Sequence, residues 1–495
     1  MSTVLDTPLQ AAGWLRSHIS ATLRADSREV RAGDGFLAWP GAAVDARGHV
    51  ASALAAGAAV CLVEREGAER YGFSDTRVAL YPGLKSAAAP IAAAFFGSPS
   101  EQIAVLAVTG TNGKTSTAWW LAQALSLLGR RCGVVGTLGI GEPGAMVVNG
   151  LTTPDPVRFQ MHLRRMVDDS FAACAIEASS IGLAEGRLDA TRIHTAVFTN
   201  FTQDHLDYHG DMDAYWAAKE RLFAWDGLRA AVVNLDDAKG SRLAAFAARP
   251  GIELWSFSCE GAAGARLSAD DIVFTPDGLR FDILEAGQRC PVAAPLVGRF
   301  NVSNLLGVIA ALRSVGVSLA DACGACARLS PVPGRMDMLT APGRPLVVVD
   351  YAHTADALAK ALEALRPAAA SRSGRLWCVF GCGGDRDPIK RSHMAEAAEQ
   401  HADHVVVTTD NPRSEAPMAI IEAIMRGFKR PADVEVQADR AQAITRAITR
   451  AAAADIVLIA GKGHEDYQDI SGVKHPFSDR LYAERALSMR QGAFA

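Results

Sequence analysis

The sequence predicts an α/β protein of three domains, over residues 1–98, 99–333 and 334–495. Three observations predict it. Short apolar runs alternate with alanine-rich helical stretches from the first domain onward, the rhythm of sheets covered by helices. An apolar run at 103–108 leads into a glycine loop and then a helix. Beyond residue 337 strand and helix alternate regularly, the pattern of a Rossmann-like, doubly wound parallel sheet. A length of 495 residues also suits about three domains.

Bulk composition narrows the classes. The chain is 49% hydrophobic and 21% charged, which supports a sizeable core. Net charge is −4 without a basic block, so neither nucleic acid nor an anionic membrane surface is expected as a partner. The start M-S-T-V-L-D-T-P lacks the basic and apolar parts of a signal peptide. No stretch approaches the roughly 18 apolar residues of a membrane span. Nine scattered cysteines form no framework, which suits a reducing cytoplasm. Cys323 and Cys326 have C-x-x-C spacing, but no second ligand pair or thioredoxin-like context supports metal or redox use.

The first domain carries apolar runs at 36–40, 58–63 and 78–81. Its segment D-S-R-E-V (Asp26–Val30) puts polar residues in a loop before a strand, which is turn chemistry with a binding role left open. F-G-S-P-S (96–100) reads as the linker to the second domain. There, Ile103–Val108 is a strand buried on both faces, and T-A-W-W-L-A-Q-A-L-S-L-L is a helix stopped by Gly129. Between them lie Gly110, Thr111, Asn112, Gly113, Lys114, Thr115 and Ser116. Strand, glycine loop, Lys-Thr and helix together cradle a nucleotide triphosphate. Loop N–H groups and the helix N-terminus face the phosphates, Lys114 supplies charge, and Thr115 can ligate Mg²⁺. The general P-loop pattern has glycine where Val108 stands, so the start of this loop is altered.

Two more strands end in polar chemistry. A-A-C-A-I delivers Glu177–Ser180, and T-A-V-F-T-N delivers Asn200 followed by Asp204 and His205. Ligands of open parallel sheets sit at such carboxyl ends, so Glu177 and His205 are candidate Mg²⁺ or substrate ligands. Histidine is an unusual Mg²⁺ ligand, and a loop histidine bonded to backbone is the alternative. Lys219 lies on a helix among aromatics, where lysine is ordinarily a solvated charge. Residues 230–297 look β-rich, with Asp277-Gly278 as a hairpin turn. A helix then opens within 298–306, capped by Asn301 or Ser303.

In the third domain strands are expected at 346–350, 376–381, 404–410, 434–437 and 456–461. All but one end in polar chemistry: D-Y-A-H-T, G-C-G-G-D-R-D, D-N-P-R-S-E and G-K-G-H-E. No G-x-G-x-x-G follows the first strand, so dinucleotide binding is not indicated.

Together, G-T-N-G-K-T-S, E-A-S-S, T-N-F-T-Q-D-H-L-D-Y-H-G, F-N-V-S-N, P-G-R-M-D, D-Y-A-H-T and G-K-G-H-E resemble the Mur ligases in order and spacing. The resemblance covers essentially the whole chain. It implies an ATP-dependent amide ligase of peptidoglycan precursor synthesis, with N-terminal nucleotide-substrate, central ATP-binding and C-terminal amino-acid domains. D-N-P-R at 410–413 is similar to the signature of members that add meso-diaminopimelate to UDP-N-acetylmuramoyl-L-alanyl-D-glutamate. Diaminopimelate carries a second carboxylate that lysine lacks, and a guanidinium binds carboxylate bidentately.

The resemblance implies roles position by position. Residues 110–116 would hold ATP phosphates, with Thr115 and Glu177 on Mg²⁺ and His205 near a second metal. Lys219 aligns with the family's carbamylated lysine, an N6-carboxylysine whose negative charge supports Mg²⁺. Asn301 would face the adenine, and Arg335, Asp350 and His353 the ribose and phosphates. Lys114, Glu177, His205, Lys219 and Arg335 form the implied catalytic set. Ser27, Thr152, Thr153, Ser179, Glu185 and Arg187 would meet the uridine nucleotide substrate. Arg386, Asp410, Asn411, Pro412, Arg413, Gly461 and Glu465 would hold diaminopimelate.

Three positions depart from the family pattern: Ile181 replaces a histidine, Glu185 a common glutamine, and Ala355 a proline. The Glu185 departure weakens its assignment to substrate. A monomer in the cytoplasm is expected. The rivals are a lysine-adding member, a folylpolyglutamate synthase-like ligase, and a nucleotide-driven switch.

Overall fold

The computed structural model describes residues 3–41, 44–275 and 278–489. The chain falls into two compact units, Met1–Ser268 with Asn304–Ala325, and Ala269–Ser303 with Cys326–Ala495.

The first unit opens with a five-stranded sheet in the order Thr3–Val4, Val78–Tyr81, Val60–Glu64, Gly35–Ala38, Leu23–Arg24. Every pairing in it is parallel. Both faces must therefore be covered, and the strands read as near-continuous apolar runs. Leu37, Leu62 and Ala79 pack beneath helices Pro8–His18 and Leu84–Phe95, while Phe36, Cys61 and Val63 face helix Val50–Ala55.

The larger sheet of this unit runs Glu253–Ser258, Ala230–Asn234, Thr195–Phe198, Ala104–Thr109, Ala173–Glu177, Cys132–Gly136. These six strands are parallel. Gly139–Glu142 and Ala145–Val147 extend one edge antiparallel. The chain leaves Ala104–Thr109 toward one side and later returns to its other side. That reversal opens a crevice at the carboxyl end of this strand, flanked by the ends of Ala173–Glu177 and Thr195–Phe198. Helix Lys114–Leu127 rises from the crevice and is almost wholly buried, with Trp120 at 1% exposure. An aromatic of that size removes roughly 150–250 Å² from water. The helix is held as a core element, which fixes its first turn.

The second unit holds the hairpin Gly278–Glu285/Gln288–Ala294, in register from Leu279↔Ala294 to Glu285↔Gln288. Asp277 of the expected D-G turn lies outside the described residues. The six-stranded sheet follows the order Asp337–Leu339, Leu346–Asp350, Ile456–Ala460, Leu376–Phe380, His404–Val407, Glu435–Val436. All but the first pairing are parallel. Separate apolar layers cover its two faces, one around Leu358, Leu362, Phe380 and Met394, the other around Ile444, Ile448, Ala483 and Leu487. This is the doubly wound sheet expected.

Two details differ from expectation. The strand foreseen at 404–410 stops at Val407, because Thr408–Asp410 leave the ladder to build a loop. The helix foreseen behind a cap at Asn301 or Ser303 begins at Arg299, because Gly298 turns the chain at φ 91°. Among the described residues no helix is long and apolar enough to cross a membrane.

Candidate active site

In the first unit the glycine loop is built before any ligand is considered. Gly110 (φ 146°) passes so close to the next strand end that a Cβ there would stand 1.9 Å from Thr199 Oγ1. Gly113 (φ 83°) leaves equally little room, since a Cβ there would stand 2.4 Å from Asn304 Oδ1. The Thr199–Thr202 segment then zips onto the loop. Thr111 N donates to Asn200 O at 2.8 Å, Asn112 N to Asn200 Oδ1 at 2.9 Å, and Thr199 Oγ1 to Asn112 O at 2.6 Å. Asn200 thus supports the loop, a role its position at a strand end suggested only generally.

Two lysines share one acceptor. Lys114 Nζ donates to Gly110 O at 3.0 Å and to Thr111 O at 2.9 Å, and Lys219 Nζ donates to the same Gly110 O at 2.7 Å. Lys219 is 1% exposed, on helix Met212–Glu220, with its Nζ 4.5 Å from the centre of the Tyr215 ring. Burial, and then the charge of Lys114, push its pKa well below the ordinary lysine value. The reading of Lys219 as a solvated helix charge is therefore overturned. Its helix packs against the sheet through Tyr215 and Trp216, which carries the lysine inward.

Glu177 is buried at the end of its strand. Its Oε2 accepts from Thr115 Oγ1 at 2.9 Å and from Thr137 Oγ1 at 3.3 Å, and its Oε1 accepts from Thr137 N at 2.8 Å. Gly136 leaves room for it, since a Cβ there would meet Oε1 at 2.2 Å. This is a carboxylate surrounded by neutral donors, next to a hydroxyl of the phosphate loop. His205 sits in the left-handed region (φ 51°), exposed, with Nε2 at 3.5 Å from Asp204 Oδ2. The structure does not bring it into hydrogen-bond contact with Glu177 or Thr115.

The residues assigned to the nucleotide substrate gather in part. Thr152 Oγ1 is 3.0 Å from Thr137 Oγ1, and Thr153 Oγ1 is 2.9 Å from Ser179 Oγ. Arg187 Nη1 donates to Thr153 O at 2.8 Å. Ser27 lies on the turn Ser27–Glu29, whose neighbours Asp26, Arg28 and Glu29 line a cavity of about 360 Å³. Arg24, Asn149, Asp155 and Arg158 complete its polar wall. Sequence reasoning missed these, because they lie far apart in the chain and form no motif. Glu185 has both oxygens engaged, Oε2 by Lys85 Nζ at 2.8 Å and Oε1 by the Tyr208 hydroxyl at 2.5 Å. Those two partners, the lysine first, lower its pKa.

In the second unit the loops at the carboxyl ends of the sheet interlock. Gly334 of P-G-R-M-D leaves space for His464 N, which would be 2.1 Å from a Cβ. Arg335 lies over the Tyr351 ring at 4.5 Å. Asp350 accepts from Met336 N at 2.7 Å and Ala352 N at 2.8 Å, and burial raises its pKa against the pull of Arg335. His353 is exposed, with Nδ1 2.8 Å from Tyr351 O. Asn301 is buried and donates from Nδ2 to Val297 O at 2.7 Å.

The D-N-P-R loop is set by its neighbours. Arg413 (φ 50°) donates from Nη1 to Gly384 O at 2.7 Å, and its backbone N–H donates to Asp469 O at 2.9 Å. Pro412 is buried, with its carbonyl against Gly384. Asn411 Nδ2 donates to Glu465 Oε2 at 2.8 Å. Asp410 Oδ1 accepts from Asn411 N at 2.6 Å, and Gly461 (φ 120°) leaves room for Asp410 Oδ2. Arg386 is exposed, and its Nη1 makes a long contact to Asp385 O at 3.4 Å. Behind the loop Arg440, wholly buried, forms a bidentate pair with Asp479 at 2.7 Å through Nε and Nη2. It also donates to Thr409 O and Ala460 O, tying two strand ends together. Nothing in the sequence singled out Arg440, which sits on a helix with ordinary amphipathic spacing.

Residues 108–312 match the Mur ligase middle domain, and 334–463 match the glutamate ligase domain of Mur ligases. A UDP-N-acetylmuramoyl-L-alanyl-D-glutamate–2,6-diaminopimelate ligase of Acidovorax sp. (strain JS42) is 55% identical, covering 99% of this chain and 98% of its own. A protein of the same name from Pseudomonas putida (strain KT2440) is 49% identical over 96% of both chains. A solved structure bearing that name is 34% identical, with TM-score 0.69 and 95% coverage of each chain.

Proposed function

The chain belongs to the Mur ligase family, and we propose that it joins meso-2,6-diaminopimelate to UDP-N-acetylmuramoyl-L-alanyl-D-glutamate using ATP. The observation that carries the choice of amino acid is the D-N-P-R loop, whose Asn411 is bonded to Glu465 of the G-K-G-H-E turn. Its Arg413 guanidinium makes no ion pair with a carboxylate among the described residues and donates instead to Gly384 O. A guanidinium suits the distal carboxylate of diaminopimelate, and Glu465 suits an ammonium. On this reading residues 1–98 bind the uridine nucleotide, 99–333 ATP, and 334–495 the amino acid. The chain would act as a cytoplasmic monomer, without nucleic-acid or membrane partners.

The reaction follows from the electrophile. A carboxylate has no usable leaving group, so the glutamyl carboxylate of the nucleotide substrate first attacks the γ-phosphate, giving an acyl phosphate and ADP. The amine of diaminopimelate then adds to the acyl carbon and phosphate departs. The first step brings two anions together, and Lys114 and Arg335 supply the opposing charge. Thr153, Ser179 and Arg187 would orient the nucleotide-linked peptide, and Asn301, Asp350 and His353 the nucleoside of ATP.

The buried hard-oxygen pair of Thr115 and Glu177 fits Mg²⁺, which would neutralise phosphate charge when bound. His205 would join them only from its exposed turn. Burial and the charge of Lys114 disfavour the Lys219 ammonium, which favours the amine form that adds CO₂. As N6-carboxylysine it would carry a negative charge attracted to Lys114.

Phosphate release with ATP, Mg²⁺ and the nucleotide dipeptide tests the reading. Turnover with meso-diaminopimelate and not with lysine is the expected result. Turnover with lysine alone would replace the amino-acid assignment, and silence with both would overturn the substrate pair.

A further inference from the structure

Lys462 is wholly buried, and no step of the proposed chemistry uses it. It lies two residues beyond the end of strand Ile456–Ala460, in G-K-G-H-E, on a turn opened by Gly461 and continued by Gly463 at φ 54°. Its Nζ donates to Asn411 Oδ1 at 3.0 Å and to Glu465 Oε2 at 2.9 Å. Asn411 Nδ2 donates to the same Glu465 oxygen, closing a triangle of one ammonium, one carboxamide and one carboxylate. Asp469 N donates to Asn411 Oδ1 at 2.9 Å, so the carboxamide oxygen is held from two sides and its orientation is fixed.

We propose that Lys462 is a positioning residue for the incoming amino acid, acting through Asn411 and Glu465. The inference rests on the reading of those two residues as diaminopimelate ligands. The geometry gives the reason. Both donors fall on Oε2 of Glu465, leaving Oε1 without a partner among the described residues and the side chain 18% exposed. A carboxylate anchored by one oxygen presents the other at a fixed point, which is what a substrate ammonium needs. Lysine does this better than arginine, because three tetrahedral donors can reach two oxygens from one point.

The roles divide accordingly. Glu465 and Asn411 touch the substrate. Lys462 sets their position from behind and touches neither ATP nor the nucleotide peptide.

The test is steady-state kinetics of Lys462→Met on the full chain, with each substrate varied in turn. Removing one donor from each of the Glu465 and Asn411 side chains should raise KM for meso-diaminopimelate about 30-fold, while KM for ATP stays within about twofold. In a Glu465→Gln background the added effect of Lys462→Met should shrink to about threefold or less, since the two act through one group. Lys462→Arg should recover part of the loss. Where the methionine variant does not fold, Lys462→Gln, which can donate to one of the two oxygens, should give a smaller rise of the same kind. Equal rises in KM for diaminopimelate and ATP, or additive effects with Glu465→Gln, would overturn the proposal while wild-type turnover with diaminopimelate stands. Absence of that turnover in the wild type would overturn the reading it rests on, and the proposal with it.

Discussion

Lys219 and Lys462 are both buried, and they are buried in opposite ways. Lys219 reaches the glycine loop with a carbonyl for a partner and a second lysine on the same oxygen. Lys462 reaches the amino-acid loop with a carboxylate and a carboxamide. Burial without an ion-paired carboxylate disfavours the Lys219 ammonium, whereas Lys462 is tied in place by a carboxylate. The first arrangement favours the amine form, and the second fixes a strut. Arg440 and Asp479 repeat the second pattern one layer deeper. The two lysines of the phosphate loop thus lean on a backbone carbonyl, while the ammonium of the amino-acid loop leans on a carboxylate.

The comparison can be broken most severely at Lys219. Lys219→Ala should lower kcat by about a thousandfold, the scale of removing one preorganised electrostatic group. Intact-mass analysis near neutral pH should show one added CO₂ in the wild type and none in Lys219→Arg. An unmodified wild type with full activity would sink the carbamate.

Asp479→Asn removes the carboxylate paired with the buried Arg440. It should cost about 3 kcal/mol of stability, read as a lower urea midpoint at unchanged slope. An unchanged midpoint would show that the pair contributes little.

Arg413→Ala removes the guanidinium proposed to meet the distal carboxylate. KM for diaminopimelate should rise about 50-fold and that for ATP by no more than about twofold. Similar rises for both would discard Arg413 as the selector.

The smallest effect concerns two partly buried imidazoles. Burial lowers the pKa of His162 and of His464 to about 4, with nearby arginines acting in the same direction. The unfolded chain binds these protons more readily, near the ordinary value of 6.5. Their contribution to stability is therefore fully present above about pH 6.5 and falls as the pH drops toward about 4. Both side chains are partly exposed, so the loss should be about 1–2 kcal/mol in all. His162→Gln should flatten that slope, and an unaltered slope would show that His162 does not contribute.

Much of this was legible in the sequence. The parallel strands announced themselves as apolar runs, and the glycine loop, Glu177 and the D-N-P-R loop sat at their carboxyl ends as expected. The site was legible where its residues are neighbours in sequence or end a strand. Arg24 and Arg158 were not, since the wall they share with the D-S-R-E-V turn joins segments 129 positions apart, as the Arg158–Glu29 pair shows. Glu185 was legible as a position but not as a partner of Lys85 and Tyr208.

What the sequence determined by itself was the fold class, the family and the chemical types at each strand end. Those depend on periodicity and local spacing, which a chain carries whether or not it is folded. Only the tertiary structure decided which charges are balanced. Lys219, Lys462 and Arg440 look alike as letters on helices and loops, yet their ionisation and use depend on what packs around them. That environment comes from residues far away in the chain, as with Gly110 for Lys219 and Asn411 for Lys462. A buried charge takes its behaviour from its nearest partner, and folding chooses that partner.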